Sequence, residues 1–474
     1  MRGGGEGTGK GIGTKALVAG RVMPLDLELA RLSPQHRRRS TGIEALDMTA
    51  STNAASLLAD ALAIILGTDG IPLRLKAWDG SEAGPEDAPV VVFRSRRALR
   101  RMLWSPGQLG LSRAYVAGDV EAPGDIFAAF AAISAAGKFA EPGPFRPPTP
   151  GELFALVKTA VRLGALGTNP APPPEEARVS RHGRRHSKGR DAAAISHHYD
   201  VGNDFYALVL GPSMAYSCAV WESEETGLDA AQSAKLDLVC RKLGLRPGMR
   251  VLDVGCGWGS LALHAAQHYG ADVVGVTLSV EQAALARKRA ADAGLTDRVD
   301  IRVQDYRDVD DGPFDAISSI GMSEHVGREQ IQHYSSHLQG LLRPGGRLLN
   351  HAISWNAGAT PPDPDSFIPR YVFPDGEMLS LSEMVAALES ADLEIIDVEA
   401  LRPHYALTLR AWVRNLEEHW DEAVRLAGLG RARVWRLYMA ASALGFEAGI
   451  TGVNQILVQR PGGAEPPLRR SAWM

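Results

Sequence analysis

Residues 251–260 of this 474-residue chain read Val-Leu-Asp-Val-Gly-Cys-Gly-Trp-Gly-Ser, and this stretch constrains the fold more than any other. The apolar run from Arg250 to Val254 predicts a buried parallel strand. The strand stops at Gly255-x-Gly257-x-Gly259, and Ser260 to Tyr269 then predicts a helix. A strand, a tight glycine turn and a helix form the first unit of a nucleotide-binding α/β domain. Glycine permits the turn and lets a ligand approach the backbone where a Cβ would clash. The spacing is G-x-G-x-G, not the G-x-G-x-x-G of a pyrophosphate cradle. A shorter turn suits S-adenosylmethionine (SAM), which has no phosphates. A plain strand-to-helix turn in another α/β protein has the same local form, so the motif leaves both readings open.

The pattern on either side extends this unit. Strands are predicted near 250–254, 272–277, 299–304, 314–320 and 346–353, and helices near 228–243, 259–269, 280–293 and 328–342. Regular alternation implies right-handed crossovers and a parallel sheet. After Arg370 the chain predicts a helix over Ser380–Ala391, a strand over Glu394–Ala400, a long helical stretch over Leu407–Ala448 and a last strand over Thr451–Gln459. Two late strands would close the sheet as an antiparallel hairpin. Residues 463–474 read as a tail.

Upstream, residues 1–50 are rich in Gly and Arg with little periodicity and read as a flexible leader, with Met23 and Met48 as alternative starts. Residues 51–138 predict a small α/β unit. Its parts are a helix over Ala54–Leu66, a strand over Leu73–Trp78, a hairpin at Asp79-Gly80, a return strand over Pro89–Phe93 and a helix over Ser95–Trp104. Arg94, Arg96, Arg97, Arg100 and Arg101 form either a solvated face or a contact for anionic lipid headgroups. Residues 139–195 are rich in Pro and Arg, contain one short helix (Gly151–Leu163), and read as a linker. From Ser196 to Trp221 the chain turns polar and aromatic, which suggests a segment capping a pocket.

Bulk properties exclude several classes. The net charge of −4 argues against a general nucleic-acid binder. Three cysteines (Cys218, Cys240, Cys256) offer no disulfide framework or structural zinc site and suit a reducing cytoplasm. No apolar run approaches the roughly 18–20 residues that span a bilayer. His197 and His198 are adjacent, face opposite ways and lack a third ligand, so no metal is expected.

Ligands of open α/β sheets lie beyond the carboxyl ends of the strands. There the chain places the glycine turn, Thr277-Leu278 with Gln282, Asp305-Tyr306, the segment Ile320 to His325, and Asn350 to Ile353. A dinucleotide enzyme usually has a carboxylate after the second strand for the ribose. Thr277 and Gln282 stand there instead, which turns the reading from NAD toward SAM. Asp305 is placed to accept from an adenine amine, with Tyr306 covering the ring; the alternative for Asp305 is a helix cap. Cys256 reads as small packing inside the turn.

The motifs HHYDVGNDFY, MAYSCAVW, VLDVGCGWGS, VTLSVEQ, QDY, GMSEHVG and LRPHYALTLRAW occur in this order. Together they resemble the cyclopropane-fatty-acyl-phospholipid synthase family, which includes the mycolic acid cyclopropane synthases. The resemblance covers about residues 196–460. More weakly, residues 55–138 resemble the small N-terminal lipid-binding domain of the full-length synthases. The implied fold is α/β: a class I SAM-dependent methyltransferase with a Rossmann-like seven-stranded sheet over 196–462, joined to that N-terminal domain. The long linker resembles actinobacterial members that pass through a 10-methylene intermediate.

The resemblance implies a SAM-dependent C-methyltransferase acting on the cis double bond of an unsaturated phospholipid acyl chain. Methyl transfer leaves a carbocation on the chain, and bound bicarbonate removes a proton from it. Loss from the new methyl group with ring closure gives cyclopropane; loss without closure gives a methylene group. The residues matching the bicarbonate cradle are Cys218 and Ile353, through backbone atoms, and Glu324, His351 and Tyr405, through side chains. Tyr216, Ser217, Gly255, Gly257, Gly259, Thr277, Leu278, Gln282, Asp305, Tyr306 and Ile320 match the SAM site. Tyr199, Tyr206 and Tyr405 offer aromatic faces to a carbocation. The resemblance further implies a cytoplasmic homodimer in peripheral contact with the inner face of the membrane. The competing readings are a methyltransferase for a soluble small molecule and a non-catalytic lipid-binding module.

Overall fold

The computed structural model describes residues 53–66, 68–105, 107–136, 149–176, 186–191, 201–356, 358–359 and 365–473. Two sheets organise them. The smaller contains β1 (Arg74–Lys76), β2 (Glu82–Ala83), β3 (Val90–Phe93) and β4 (Val120–Glu121), in the order β2-β1-β3-β4. The larger contains β5 (Arg250–Val254), β6 (Asp272–Thr277), β7 (Val299–Val303), β8 (Phe314–Ile320), β9 (Leu342–Trp355), β11 (Glu394–Ala400) and β12 (Thr451–Gln459), in the order β11-β12-β9-β8-β5-β6-β7; the short β10 (Leu379–Ser380) pairs with β9 off this path.

The five strands from β5 to β9 run parallel, and β12 lies antiparallel to both β9 and β11. The expected doubly wound, seven-stranded sheet is therefore present. Its strand order reverses at β5: the chain moves outward through β6 and β7, then crosses to β8 on the other side of β5. The gap beyond the carboxyl ends of β5 and β8 is the switch point where such sheets bind ligands.

Local chemistry sets the element ends. Helix Val280–Asp292 starts where the Ser279 hydroxyl accepts the Gln282 N–H at 3.2 Å. Helix Leu228–Leu243 carries Arg241 and Lys242 in its last turn and stops at Gly244, which has φ of 67°. The predicted single stretch over 407–448 is three helices, Arg402–Glu418, Trp420–Ala427 and Leu429–Glu447, divided at His419 and at Gly428, which has φ of 80°. These helices separate β11 from β12, so the closing antiparallel pair is not a tight hairpin.

The N-terminal sheet departs from expectation. The Asp79-Gly80 turn leads into β2, which returns antiparallel to β1, and β3 then runs parallel to β1. After β2 the chain is back at the start of β1, so its next strand must run the same way as β1. The Asp79 carboxylate holds the turn, accepting from the Ala54 N–H and the Ser81 N–H, each at 3.0 Å.

The stretch 149–176 is packed, not a free linker. A capping box between Thr149 and Glu152 starts its helix (Pro150–Arg162), and the Glu176 carboxylate takes the Arg113 guanidinium at 2.7 and 2.6 Å. Further on, Arg190 pairs with Asp375 at 2.5 Å. The basic residues 178–185 lie outside the described residues. The tail is also docked: Trp473 is buried and Arg470 pairs with Asp397 at 2.5 Å. The segment expected to cap a pocket contains helix Asn203–Leu210, whose Phe205 and Tyr206 are fully buried core residues.

Helix Leu429–Glu447 ties the small sheet to the large one. Arg433 reaches Glu121 at 2.6 Å. Arg436 donates to the Tyr115 hydroxyl at 3.1 Å, to Ala122 O at 2.9 Å and to Glu417 at 2.6 Å. Leaving a buried acceptor such as Ala122 O unsatisfied typically costs about 1–3 kcal/mol. Arg436→Met is expected to lower unfolding stability by that amount in a denaturant titration. A loss below about 1 kcal/mol, the scale of an exposed ion pair, would show that other contacts hold the small sheet in place.

Candidate active site

Several loops meet at the switch point. Gly255, Gly257 and Gly259 leave β5 with φ of 74°, 54° and 80°, left-handed values that a residue with a side chain rarely adopts. The Gly255 and Cys256 N–H groups donate to Val276 O at 2.9 and 3.0 Å, which pins the turn to β6. A Cβ on Gly255 would meet the Met322 side chain at 2.4 Å, so the loop after β8 lies against the turn. A Cβ on Gly257 would meet nothing within 4 Å, which leaves the main chain there open to a ligand. Ile320 ends β8 beside it. After β6, Thr277 Oγ1 donates to Gln282 Oε1 at 2.8 Å and accepts the Ser279 N–H at 3.2 Å, with Leu278 half-buried between them.

Asp305 and Tyr306 each have a structural partner. The Asp305 carboxylate accepts the Arg307 N–H at 2.9 Å and the Arg307 guanidinium at 2.8 and 2.6 Å. Both oxygens face Arg307 and Asp305 caps the short turn Tyr306–Asp308, with three accepted bonds that leave one lone pair of Oδ2 for a further donor. Arg307 is held in turn by Asp191 at 2.9 Å. The Tyr306 ring is a core residue set edge-on to Tyr334 at 5.5 Å.

Glu324 stands on the short helix Ser323–Val326 after β8. Its Oε1 accepts the Ile353 N–H at 2.8 Å, and its Oε2 is buried with no partner among the described residues. Burial raises this carboxyl to about 7. A small cavity lined by Glu324, Ser323, Asn350, Ile353, Leu379 and Asn454 lies beside it.

His351 sits in β9 opposite Ile320 and Gln455. Lys242 Nζ donates to Gln455 Oε1 at 2.8 Å, which turns the Gln455 amide nitrogen toward His351 Nδ1, 3.3 Å away. On this network Nδ1 accepts and the ring proton is assigned to Nε2. Nε2 is buried with no partner among the described residues. Burial, reinforced by Lys235 and Lys242, lowers the imidazole to about 3, so it is neutral. The sheet edge thus offers a neutral N–H donor and a carboxyl group of raised pKa, each with an unused polar atom. An oxyanion carrying a proton fits such a set.

The Cys218 thiol points away from such chemistry. It lies near Ala219 O at 3.2 Å and Leu401 O at 3.7 Å, and burial pushes its pKa up, so only its main chain is suited to a ligand. Ser217 Oγ accepts from Lys235 Nζ at 3.0 Å. Around these groups stands an aromatic wall. Tyr206 lies 4.7 Å from Trp258, Tyr216 lies 5.4 Å from Trp412, and Tyr405 lies 4.7 Å from Phe446. Tyr199, His197 and His198 lie outside the described residues.

Sequence reasoning missed Trp258, Lys235 and Gln455. Trp258 was visible as the large residue inside GCGWG; it is buried, and its indole donates to Asn203 Oδ1 at 2.7 Å. Lys235 and Gln455 carry no motif, and only their burial marks them.

Comparison with known proteins agrees with this geometry. A family model described as mycolic acid cyclopropane synthetase matches residues 186–456. The chain is 43% identical over 413 residues to a protein of Mycobacterium tuberculosis described as a probable fatty acid methyltransferase, covering 85% of this chain and 94% of that one. It is 34% identical over 408 residues to the tuberculostearic acid methyltransferase of the same organism, covering 83% and 88%. Among solved structures, mycolic acid cyclopropane synthase CmaA1 complexed with SAH and CTAB superposes with a TM-score of 0.54 at 32% identity, covering 57% of this chain and 98% of that one.

The raised Glu324 carboxyl has a measurable consequence. Between its ordinary value of 4.5 and about 7 the folded state keeps a proton that the unfolded chain has lost. Its stabilising contribution is therefore fully present below pH 4.5 and is lost as pH rises through 7. Glu324→Gln cannot ionise, so its stability relative to the parent is expected to rise by about 3 kcal/mol between pH 4.5 and pH 8. Parallel stability curves for the two proteins in denaturant titrations would refute the assignment.

Proposed function

The chain belongs to the mycolic acid cyclopropane synthetase family, and we propose that it methylates the cis double bond of an acyl chain esterified in phospholipid. It is a SAM-dependent methyltransferase of lipids. The single observation that carries the finer reading is the pair of buried, unpartnered atoms, Glu324 Oε2 and His351 Nε2, at the sheet edge that bears the glycine turn.

When bound, SAM supplies an electrophilic methyl group and bicarbonate supplies the base that takes a proton from the methylated chain. The turn Gly255–Gly259 would receive SAM at the open main chain of Gly257, with Thr277, Leu278 and Gln282 after β6, Tyr216 and Ser217 opposite, and Ile320 at the end of β8. Cys218, Glu324, His351 and Tyr405 would hold the anion. Ile353 acts through Glu324, because its N–H is already donated to that carboxylate. A carboxylate would repel an anion; a carboxyl near pH 7 can share one proton with it. His351 Nε2–H donates without carrying charge. The rings of Tyr206, Tyr216 and Tyr405 face a positive charge with their π-clouds, which favours a carbocation over water-exposed alternatives. Proton loss with ring closure gives cyclopropane, and loss without closure gives a 10-methylene chain. The likeness to a tuberculostearic acid methyltransferase favours weighing the second product equally with the first.

The membrane contact falls to the N-terminal part. Leu153, Phe154, Val157 and Val161 form an exposed apolar stripe on helix Pro150–Arg162, and Leu103 and Trp104 are exposed on helix Arg97–Trp104. Trp104 donates to Gly167 O, in the bend after helix Pro150–Arg162, at 3.0 Å. Arg94, Arg97 and Arg101 are paired with Glu121 and Asp119, and Arg433 shares Glu121, whereas Arg96, Lys158 and Arg162 have no carboxylate partner among the described residues. An apolar stripe rimmed by free cations suits an anionic bilayer, at about 1 kcal/mol per basic side chain. Among the described residues no helix is long and apolar enough to cross a membrane.

Incubation with labelled SAM and vesicles of unsaturated phosphatidylglycerol is expected to place label in the lipid; label confined to soluble products would sink the reading in favour of a soluble substrate. Mass spectrometry before and after alkene reduction separates the products, because only the methylene chain reduces readily. Glu324→Gln and Tyr405→Phe are expected to lower turnover at least a hundredfold with SAM affinity nearly unchanged by calorimetry. Loss of SAM binding in step with turnover would refute their roles. Phe154→Glu is expected to weaken vesicle sedimentation while sparing SAM affinity. If it instead splits a dimer and leaves vesicle binding intact, this face is a contact between copies.

A further inference from the structure

Lys235 is a buried cation that the chemistry above does not use. It lies on helix Leu228–Leu243 with 2% of its surface exposed. Its Nζ makes one hydrogen bond, to Ser217 Oγ at 3.0 Å, and no ion pair among the described residues includes it. Asp253 is the carboxylate whose charge reaches it, without direct contact, and Asp253 is itself hydrogen-bonded to Ser318 Oγ at 2.7 Å. Burying an ammonium with so little compensation is unfavourable by several kcal/mol or more. A second observation stands beside it. The main-chain N–H groups of Ser217 and Cys218 have no acceptor among the described residues, although Cys218 is fully buried. Ser217 Oγ accepts from Lys235, so its own proton is free to be given away. Two N–H groups and a hydroxyl thus lie on consecutive residues of one short segment, with the ammonium bonded to the hydroxyl.

We propose that Lys235 is the buried counter-charge of a carboxylate-type anion bound at Ser217 and Cys218. Its ammonium polarises the Ser217 hydroxyl, which donates to the anion together with the two main-chain N–H groups. Lys235 is a positioning residue: it acts through Ser217. Burial lowers its pKa to about 8, so it still carries its proton at neutral pH. Two anions share this chemistry, the methionine carboxylate of SAM and bicarbonate. For bicarbonate, the inference rests on the reading in the preceding section.

The test uses the full chain with Lys235→Met, which keeps the length of the side chain and removes its charge. Three quantities are measured: the melting temperature without ligands, the calorimetric affinities for SAM and for decarboxylated SAM, and the bicarbonate concentration that half-saturates methyl transfer. Without ligands the variant is expected to melt at the same or a higher temperature, because an unfavourable buried charge has gone. If the anion is the methionine carboxylate, SAM binds at least tenfold more weakly and decarboxylated SAM binds as before. If the anion is bicarbonate, its half-saturating concentration rises at least tenfold with SAM affinity unchanged. Lys235→Arg is expected to keep part of the lost affinity in either case.

The inference is overturned if a folded Lys235→Met variant binds both ligands as the parent does, or if SAM and decarboxylated SAM weaken equally. It is also overturned if the variant unfolds without ligands, which would make the ammonium a part of the empty core. If the parent protein shows no response to bicarbonate, the assignment of the base falls instead, and the SAM comparison alone decides the role of Lys235.

Discussion

The structure depends on one arrangement: β5 is bonded on one side to β6, on the other to β8, and ends in a turn that only glycine can make. Reversal of strand order at β5 opens a gap at its carboxyl end. The same reversal brings the loop after β8 against the glycine turn, as the closeness of Met322 to Gly255 shows. Everything offered to a ligand is measured from that point. Glu324 follows β8 by four residues, and His351 lies in β9 beside Ile320. A longer or more rigid turn at 255–259 would separate these groups from the open main chain at Gly257.

Around this gap the protein keeps polar atoms dry and incompletely bonded. Glu324 Oε2 and His351 Nε2 have no partner among the described residues, and Lys235 has only Ser217. Natural interiors usually satisfy such groups, because an unmade buried hydrogen bond costs about 1–3 kcal/mol. Glu324 and His351 are two such exceptions at one sheet edge, and ligand atoms would supply the partners they lack. The surrounding network prepares these groups: Lys242 turns Gln455, Gln455 sets the tautomer of His351, and Ile353 orients Glu324. Tyr206, Tyr216, Trp258, Tyr405 and Trp412 pack in one aromatic cluster of the core.

The chain as a whole is built from two sheets held by arginines. Arg433 and Arg436 on one C-terminal helix grip the small sheet, and Arg113 binds Glu176 within the segment that joins the two parts. This cross-bracing explains why residues 149–176 are ordered against the small sheet despite their many prolines. It leaves the apolar stripe of helix Pro150–Arg162 facing outward, because the opposite face is the one that packs, through Ala160.

The amino-acid sequence by itself determined the elements and their order. Continuous apolar runs bounded by glycine defined β5, β6 and β8 to within a residue, because burial on both faces leaves little choice of residue. The family resemblance then assigned Cys218, Glu324, His351 and Tyr405 to one site. Other features needed the tertiary structure. That β3 runs parallel to β1 follows from where β2 ends, which no local pattern encodes. The pairing of Asp305 with Arg307, two residues away in sequence, is likewise set by the fold, because Asp191 holds Arg307 in place. Lys235, Gln455 and the docked Trp473 have ordinary sequence surroundings, and their importance comes from burial, which is a property of the whole fold. Local pattern records what each segment prefers; which polar groups end up dry and unpaired is settled only when distant segments close around them.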